Sequence, residues 1–257
     1  MQNKVPTPTV PQNTAGMSSS LHQRSDQFVF FWKTGKELPN GYLSAWHLSP
    51  FMHEGYIYLT VHQWMAVQKA RFFGDKSAEE KLHETIDPED ISTIAAGIKG
   101  DGAKKWGSMM GKAAVDGSYL KFTASLQAPD LKAKLLETGD RTLVKASPCD
   151  RFSGIGYGES IALSKQQFWG GNIMGKALME VRRRLVEEAQ PLPGATSRPA
   201  TYDFDIEIMS TEDDWEDTPA PTADELDSSS MDKLTGLCAA VEQLSKCMDA
   251  MEVAKAA

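Results

Sequence analysis

Residues 60–74 read TVHQWMAVQKARFFG, and the rest of the chain is organised around this run. Thr60 is an N-cap residue type, Val61, Met65, Gln68 and Phe72 recur at helical spacing, and Gly74 offers a left-handed stop. The pattern predicts one amphipathic helix of about four turns, with Val61, Met65 and Phe72 in a core. On that reading alone His62 and Lys69 face water.

Outward from the helix, composition divides the 257 residues into a body and two tails. Residues 1–27 are rich in Pro, Thr, Ser, Asn and Gln and hold no apolar cluster, so a disordered tail is expected there. Residues 28–190 carry the helix and strand patterns of a single domain. Residues 191–230 are Pro-, Thr- and acid-rich, with Tyr202, Phe204, Ile206, Ile208 and Trp215 among the acids; they read as a disordered acidic linker containing a short docking motif. In residues 231–256 Leu234, Leu237, Val241, Leu244, Met248 and Met251 form a helical heptad seam of a little over two repeats, suited to a partner helix or self-association.

Charge follows the same division. Residues 1–202 hold 24 Lys and Arg against 20 Asp and Glu, whereas residues 203–257 hold 3 against 15, giving the net −8. A mildly basic body suits a phosphate-bearing ligand. No apolar run is long enough for a membrane span or signal core, and Cys149, Cys238 and Cys247 are too widely spaced for a metal motif or disulfide framework. A cytoplasmic or nuclear protein without metal or cofactor is expected.

Within the body, FVFFW at 28–32 reads as a buried strand, and SPFMHEGYIYLT as a hairpin turning at Glu54-Gly55 into the helix. Helices are expected at 77–84 with Ser77 as cap, from Asp87-Pro88 to Gly97 or Gly100, at 104–124, at 129–137 and at 172–189, with a short strand at 142–146. In helix 104–124, Trp106, Met109, Met110, Tyr119 and Phe122 are the expected buried residues; Arg182, Arg183 and Arg184 make a basic cluster on the last. The class is mostly α with a small β portion (α+β).

The blocks FFW, YLSAWHLSPF, TVHQWMAVQKA, KKW, YLKF, LLETGDRTLVKASPCDRFSGIG and WGGNIMGKALMEVRRRL, in this order from Phe28 to Leu185, resemble those of the NADAR family, also called YbiA-like. The resemblance implies a compact YbiA-like domain that hydrolyses the N-glycosidic bond between a phosphorylated ribose and a base. The implied substrates are early riboflavin-pathway intermediates or guanine bases carrying ADP-ribose, including a base within nucleic acid. Cleaving such a bond builds positive charge on the sugar, so a site needs a carboxylate, a group that positions or deprotonates water, and phosphate donors.

Carried over by motif position, the family's functional residues fall on His62, Trp106 and Asp150. Ser44 and Trp46 belong to the block that lines the family's pocket, and Gly154 and Gly156 shape the turn after Asp150. Lys69, Arg151 and Lys176 are candidate phosphate contacts; Asn172, at a helix N-terminus behind two glycines, suits either a phosphate or an ordinary N-cap. Two departures stand out: His62 where the family has Glu, and Ser153 where it has Trp. A histidine keeps proton transfer but supplies no negative charge to a cationic sugar. The alternative to an N-glycosidase is therefore a catalytically impaired module that binds ADP-ribose or a related nucleotide and interacts through its acidic tail and C-terminal helix.

Overall fold

A computed structural model describes residues 26–35, 37–100 and 103–189. The N-terminal tail up to residue 25, the acidic linker and the C-terminal heptad helix lie outside the described residues. The order is β1 (Phe28–Phe31), a 3₁₀ turn (Gly41–Leu43), β2 (Phe51–His53), β3 (Tyr56–Tyr58), α1 (Val61–Phe73), α2 (Lys76–Glu84), α3 (Pro88–Gly97) and α4 (Ala103–Ala124). Then come α5 (Ala128–Glu137), β4 (Thr142–Lys145), α6 (Glu159–Ala162), a second 3₁₀ segment (Leu163–Phe168) and α7 (Ile173–Ala189). β1 pairs in parallel with β4, and β2 with β3 as an antiparallel hairpin. Among the described residues no helix is long and apolar enough to cross a membrane.

Helix α1 forms for the reasons its sequence announces. Thr60 is extended, and its hydroxyl accepts from the Gln63 amide at 3.1 Å. The Gln63 side chain reaches back to the Leu59 amide at 2.8 Å and donates to Leu82 O at 2.7 Å, joining cap, helix and the end of α2 in one device. Gly74 stops the helix in the left-handed region at φ 71°. Its environment is not the expected one: α1 packs on α2, α3, α4 and β3, so it is buried almost all round, His62 and Lys69 included. Neighbours on several sides remove the solvent face that an amphipathic reading gives it.

Three further expectations are corrected. Asp75 rather than Ser77 caps α2, its carboxylate accepting from the Ala78 amide at 3.0 Å; a carboxylate also gains from the helix dipole. Met109 is 42% exposed. The basic cluster on α7 is largely neutralised on its own helix, Arg183 by Glu180 and Glu187 and Arg184 by Glu180. The Glu54-Gly55 turn, with φ values of 51° and 80°, is the tight turn a two-residue hairpin requires.

Glycine explains how α4 and α7 approach their neighbours. A Cβ at Gly117 would sit 2.4 Å from the Trp64 ring of α1, which is why α4 tolerates a residue that weakens helices. A Cβ at Gly175 would meet the Leu143 carbonyl oxygen of β4 at 2.1 Å. We expect Gly175→Ala to lower stability by about 1–3 kcal/mol, since a backbone atom cannot yield to the added methyl. Gly97→Ala, at a position with open space, should leave stability unchanged or raise it by up to about 1 kcal/mol. Urea unfolding at neutral pH compares the two.

Candidate active site

The site begins where β4 ends. The outer edge of this strand is closed by one side chain and one loop amide: Asn172 donates from Nδ2 to Leu143 O and accepts at Oδ1 from the Lys145 amide, both at 2.9 Å, and the Ile155 amide donates to Lys145 O at 3.0 Å. Asn172 adopts φ 48°, a left-handed conformation that Asn tolerates better than most residues. The segment 170–174 then binds the loop that follows β4: the amides of Gly171, Asn172 and Met174 donate to the carbonyls of Arg151, Gly154 and Ser153 at 2.8, 3.0 and 3.0 Å. These donors are thus spent on loop carbonyls, and the Asn172 side chain on β4. The structure gives the Asn172 side chain a structural task on β4 in place of the side-chain N-cap read from the sequence.

The loop so held presents Asp150, 1% exposed. Its Oδ1 accepts from the amides of Ser153 at 2.7 Å and Phe152 at 3.1 Å. Its Oδ2 accepts from Lys145 Nζ at 2.8 Å and from the Ser153 hydroxyl, and Lys145 Nζ also donates to Ser153 Oγ at 2.6 Å. Burial pushes the Asp150 carboxyl up, but the Lys145 ammonium and the hydrogen bonds from Lys145 and Ser153 outweigh it, and it stays ionised below the usual carboxylate range. Gly154 lies where a Cβ would press on Lys145 O at 2.8 Å, and Gly156 has φ 77°, so both shape the loop.

His62 lies within the field of the same Lys145 ammonium. Its amide donates to Ala45 O at 3.0 Å, and its ring stacks on Trp46 with centroids 3.8 Å apart. Burial drives its pKa down to about 3, with the charges of Lys145 and Lys69 acting the same way, so the imidazole is neutral at physiological pH. Lys145 is shared by the two residues: it pairs with Asp150 and its field is felt at His62. Ser44 is buried beneath Trp46, its hydroxyl accepting from the Trp46 amide at 3.3 Å. Trp106 is buried at the start of α4, 5.7 Å from the Phe72 ring, and neighbouring Gly107 abuts Phe152 of the Asp150 loop.

The candidate phosphate contacts are dispersed. Lys69 is buried and donates to Ala95 O at 2.9 Å, tying α1 to α3. Arg151 is exposed and donates to Phe168 O at 2.9 Å. Lys176 is exposed on α7. Two important residues escape a sequence reading. Lys145 ends a buried strand five positions before the acid it pairs with; that sign complementarity was the available signal. Lys121 is fully buried on α4 and donates to the carbonyls of Tyr42 at 2.6 Å and Ser44 at 3.0 Å, with burial lowering its pKa to about 7. Among the described residues no group of three His, Cys, Asp or Glu could hold a metal ion.

His62 makes stability depend on pH. Its folded pKa, about 3, lies below its unfolded value near 6.5, so the unfolded chain binds the proton first and stability is lost as pH falls from about 6.5 towards 3. We expect His62→Phe to remove up to about 1.4 kcal/mol per pH unit of that loss between about pH 6 and 4. His47, lowered in the same direction by burial, remains in the variant. Urea unfolding of both proteins at several pH values measures the difference.

Comparison with known proteins agrees with the fold. The solved NMR structure of the E. coli protein YbiA matches with a TM-score of 0.53 at 23% identity, covering 65% of this chain and 89% of that one, and so shares the fold. An N-glycosidase of Acanthamoeba polyphaga mimivirus is 30% identical over 168 residues, 62% of this chain and 96% of that protein. An N-glycosidase of Nostoc punctiforme is 26% identical over 159 residues, 61% and 92% of the two chains. The family model of the NADAR domain matches residues 30–186, and the chain belongs to that family.

Proposed function

We propose that this chain is an N-glycosidase that hydrolyses the bond between a phosphorylated ribose and a base, of the ADP-ribosyl-guanine or ribosylaminopyrimidine type. The observation that carries the reading is Asp150: a buried carboxylate kept ionised by Lys145, Ser153 and two loop amides. In the reaction the bond from the anomeric carbon to the base nitrogen breaks and its electron pair leaves with the base. Water forms the new bond to that carbon, and its proton replaces the sugar on the base. Positive charge peaks on the ribose between these events. A fixed anion in a low-dielectric wall favours that state without reorganising. Neutral His62 can orient the water as a hydrogen-bond partner; with a pKa near 3 it is a weak base.

One observation favours the second reading, a nucleotide-binding module with little turnover. Both oxygens of Asp150 are engaged twice, and the Lys145 ammonium 2.8 Å away cancels much of the field a cationic sugar would feel. The carboxylate has no open position from which to take a proton. Support for hydrolysis comes from family membership and the retained charge; support for binding alone comes from this saturation.

Release of free base from ADP-ribosyl-guanosine and from a riboflavin-pathway ribosylamine separates the two. We expect turnover by the natural sequence, a loss of about 10²- to 10³-fold in Asp150→Asn, and a gain in His62→Glu, which restores an anion on α1. Circular dichroism checks that each variant is folded. No base released by any of the proteins, with ADP-ribose binding seen by calorimetry, would establish the binding reading instead.

A further inference from the structure

Among the described residues the parallel pair β1–β4 leaves the outer edge of β1 without a further strand. The Thr142 amide donates to Gln27 O and the Ala146 amide to Phe31 O, so in the alternating ladder Gln27, Val29 and Phe31 turn their backbone groups to β4. Phe28 and Phe30 turn theirs outward. The side-chain amide of Asn40 donates to Phe30 O at 2.9 Å; among the described residues no other partner meets the outward groups of these two residues. β4, by contrast, is closed by Asn172 and by the Ile155 amide on Lys145 O. A strand edge left largely unpaired is a template for a further strand.

Two contiguous grooves run beside this edge, sharing Val29, Asn40 and Arg141. The larger, about 390 Å³, is lined by Phe28, Phe30 and Leu163 over the small second core and also by Glu159 and Ser160. The smaller, about 260 Å³, lies on the Val29 side and carries Lys134 and Arg141 against one acid, Glu137. A strand laid on β1 would therefore meet an apolar surface on one face and a mainly basic one on the other. Side chains of a strand alternate between faces, so its sequence must alternate apolar with acidic.

Residues 202–208 read YDFDIEI and have that pattern: Tyr202, Phe204, Ile206 and Ile208 alternate with Asp203, Asp205 and Glu207. The geometry of the chain allows them to return. Arg182 of α7 donates to Arg141 O at 2.9 Å, so the middle of α7 lies beside the grooves. Ala189 is about 10 Å further along the helix, and residues 190–201 can span about 40 Å.

We propose that residues 202–208 of the same chain add to the outer edge of β1 as a third strand, with their apolar residues towards Phe28, Phe30 and Leu163 and their acids towards Lys134 and Arg141. The segment closes the far edge of β1, and so braces β4, from which the Asp150 loop departs, only through β1. The N-terminal residues, which also lie near β1 in sequence, show no such alternation.

Hydrogen exchange on the full chain, followed by mass spectrometry over residues 26–33, tests the proposal. Exchange of this peptide should be about tenfold or more faster in Phe204→Asp/Ile206→Asp and in Asp203→Lys/Asp205→Lys/Glu207→Lys than in the natural sequence. Far-UV circular dichroism of all three confirms that the domain is folded, and light scattering should show monomers throughout. Unchanged exchange in both variants would overturn the proposal. So would protection accompanied by a dimer that Phe204→Asp/Ile206→Asp dissolves, because the edge would then take its strand from a second copy.

Discussion

A two-stranded parallel sheet has two open edges and too few hydrogen bonds to stand alone, so the fold around the site depends on how those edges are closed. On the β4 side closure comes from Asn172, whose amide group bridges Leu143 and Lys145. No aliphatic residue could do this, and few polar ones would accept φ 48°. The same residue starts α7, and Gly175 one turn later lets that helix lie on the strand. Strand, helix and loop are locked as one body before any ligand is present.

The lock has an electrostatic consequence. By packing the loop 150–156 against β4, it brings a lysine at the end of a strand onto a carboxylate at the start of the loop and removes both from water. Burying the pair is costly, and the extra hydrogen bonds from Ser153 and two amides are what offset it. The price of such stability is a carboxylate that is charged and fully committed at once. His62 responds to the same field in the opposite sense, since burial and two lysines both favour its neutral form. The two groups differ in charge state because the Lys145 ammonium stabilises a carboxylate's charged form, whereas burial first, and lysine charge second, disfavour the charged form of an imidazole.

Much of this was legible in the sequence and some was not, for physical reasons. Local signals were dependable where one residue suffices: Thr60 and Gly74 bound α1, Asp87-Pro88 opens α3, and Glu54-Gly55 turns the hairpin. The family blocks singled out Asp150 and His62, and the structure sets both within the field of Lys145. Burial of His62 and Lys69 was not legible, because helical periodicity reports one preferred face and cannot count the elements that later cover the others. Asn172 was placed correctly at the helix start, yet its task was hidden, because its partners lie on a strand 27 and 29 residues away. Asp75 displaced Ser77 as a cap because both residues are capable and only packing chooses between them.

Lys121 shows how far from the chemistry the site's geometry is set. A lysine buried to 1% exposure is stable only if its donors are used, and here two carbonyls of the 42–44 turn take them. That turn leads directly to Trp46, whose ring stacks on His62. The donors of a buried lysine on α4 therefore hold a loop whose aromatic ring stacks on an imidazole of α1. Replacing Lys121 by an apolar residue would leave those carbonyls without their donor in the interior, so the cost would fall on the loop and not on the helix. His62 is thus positioned through Lys121 as Asp150 is through Lys145, and both lysines act by holding their neighbours in place.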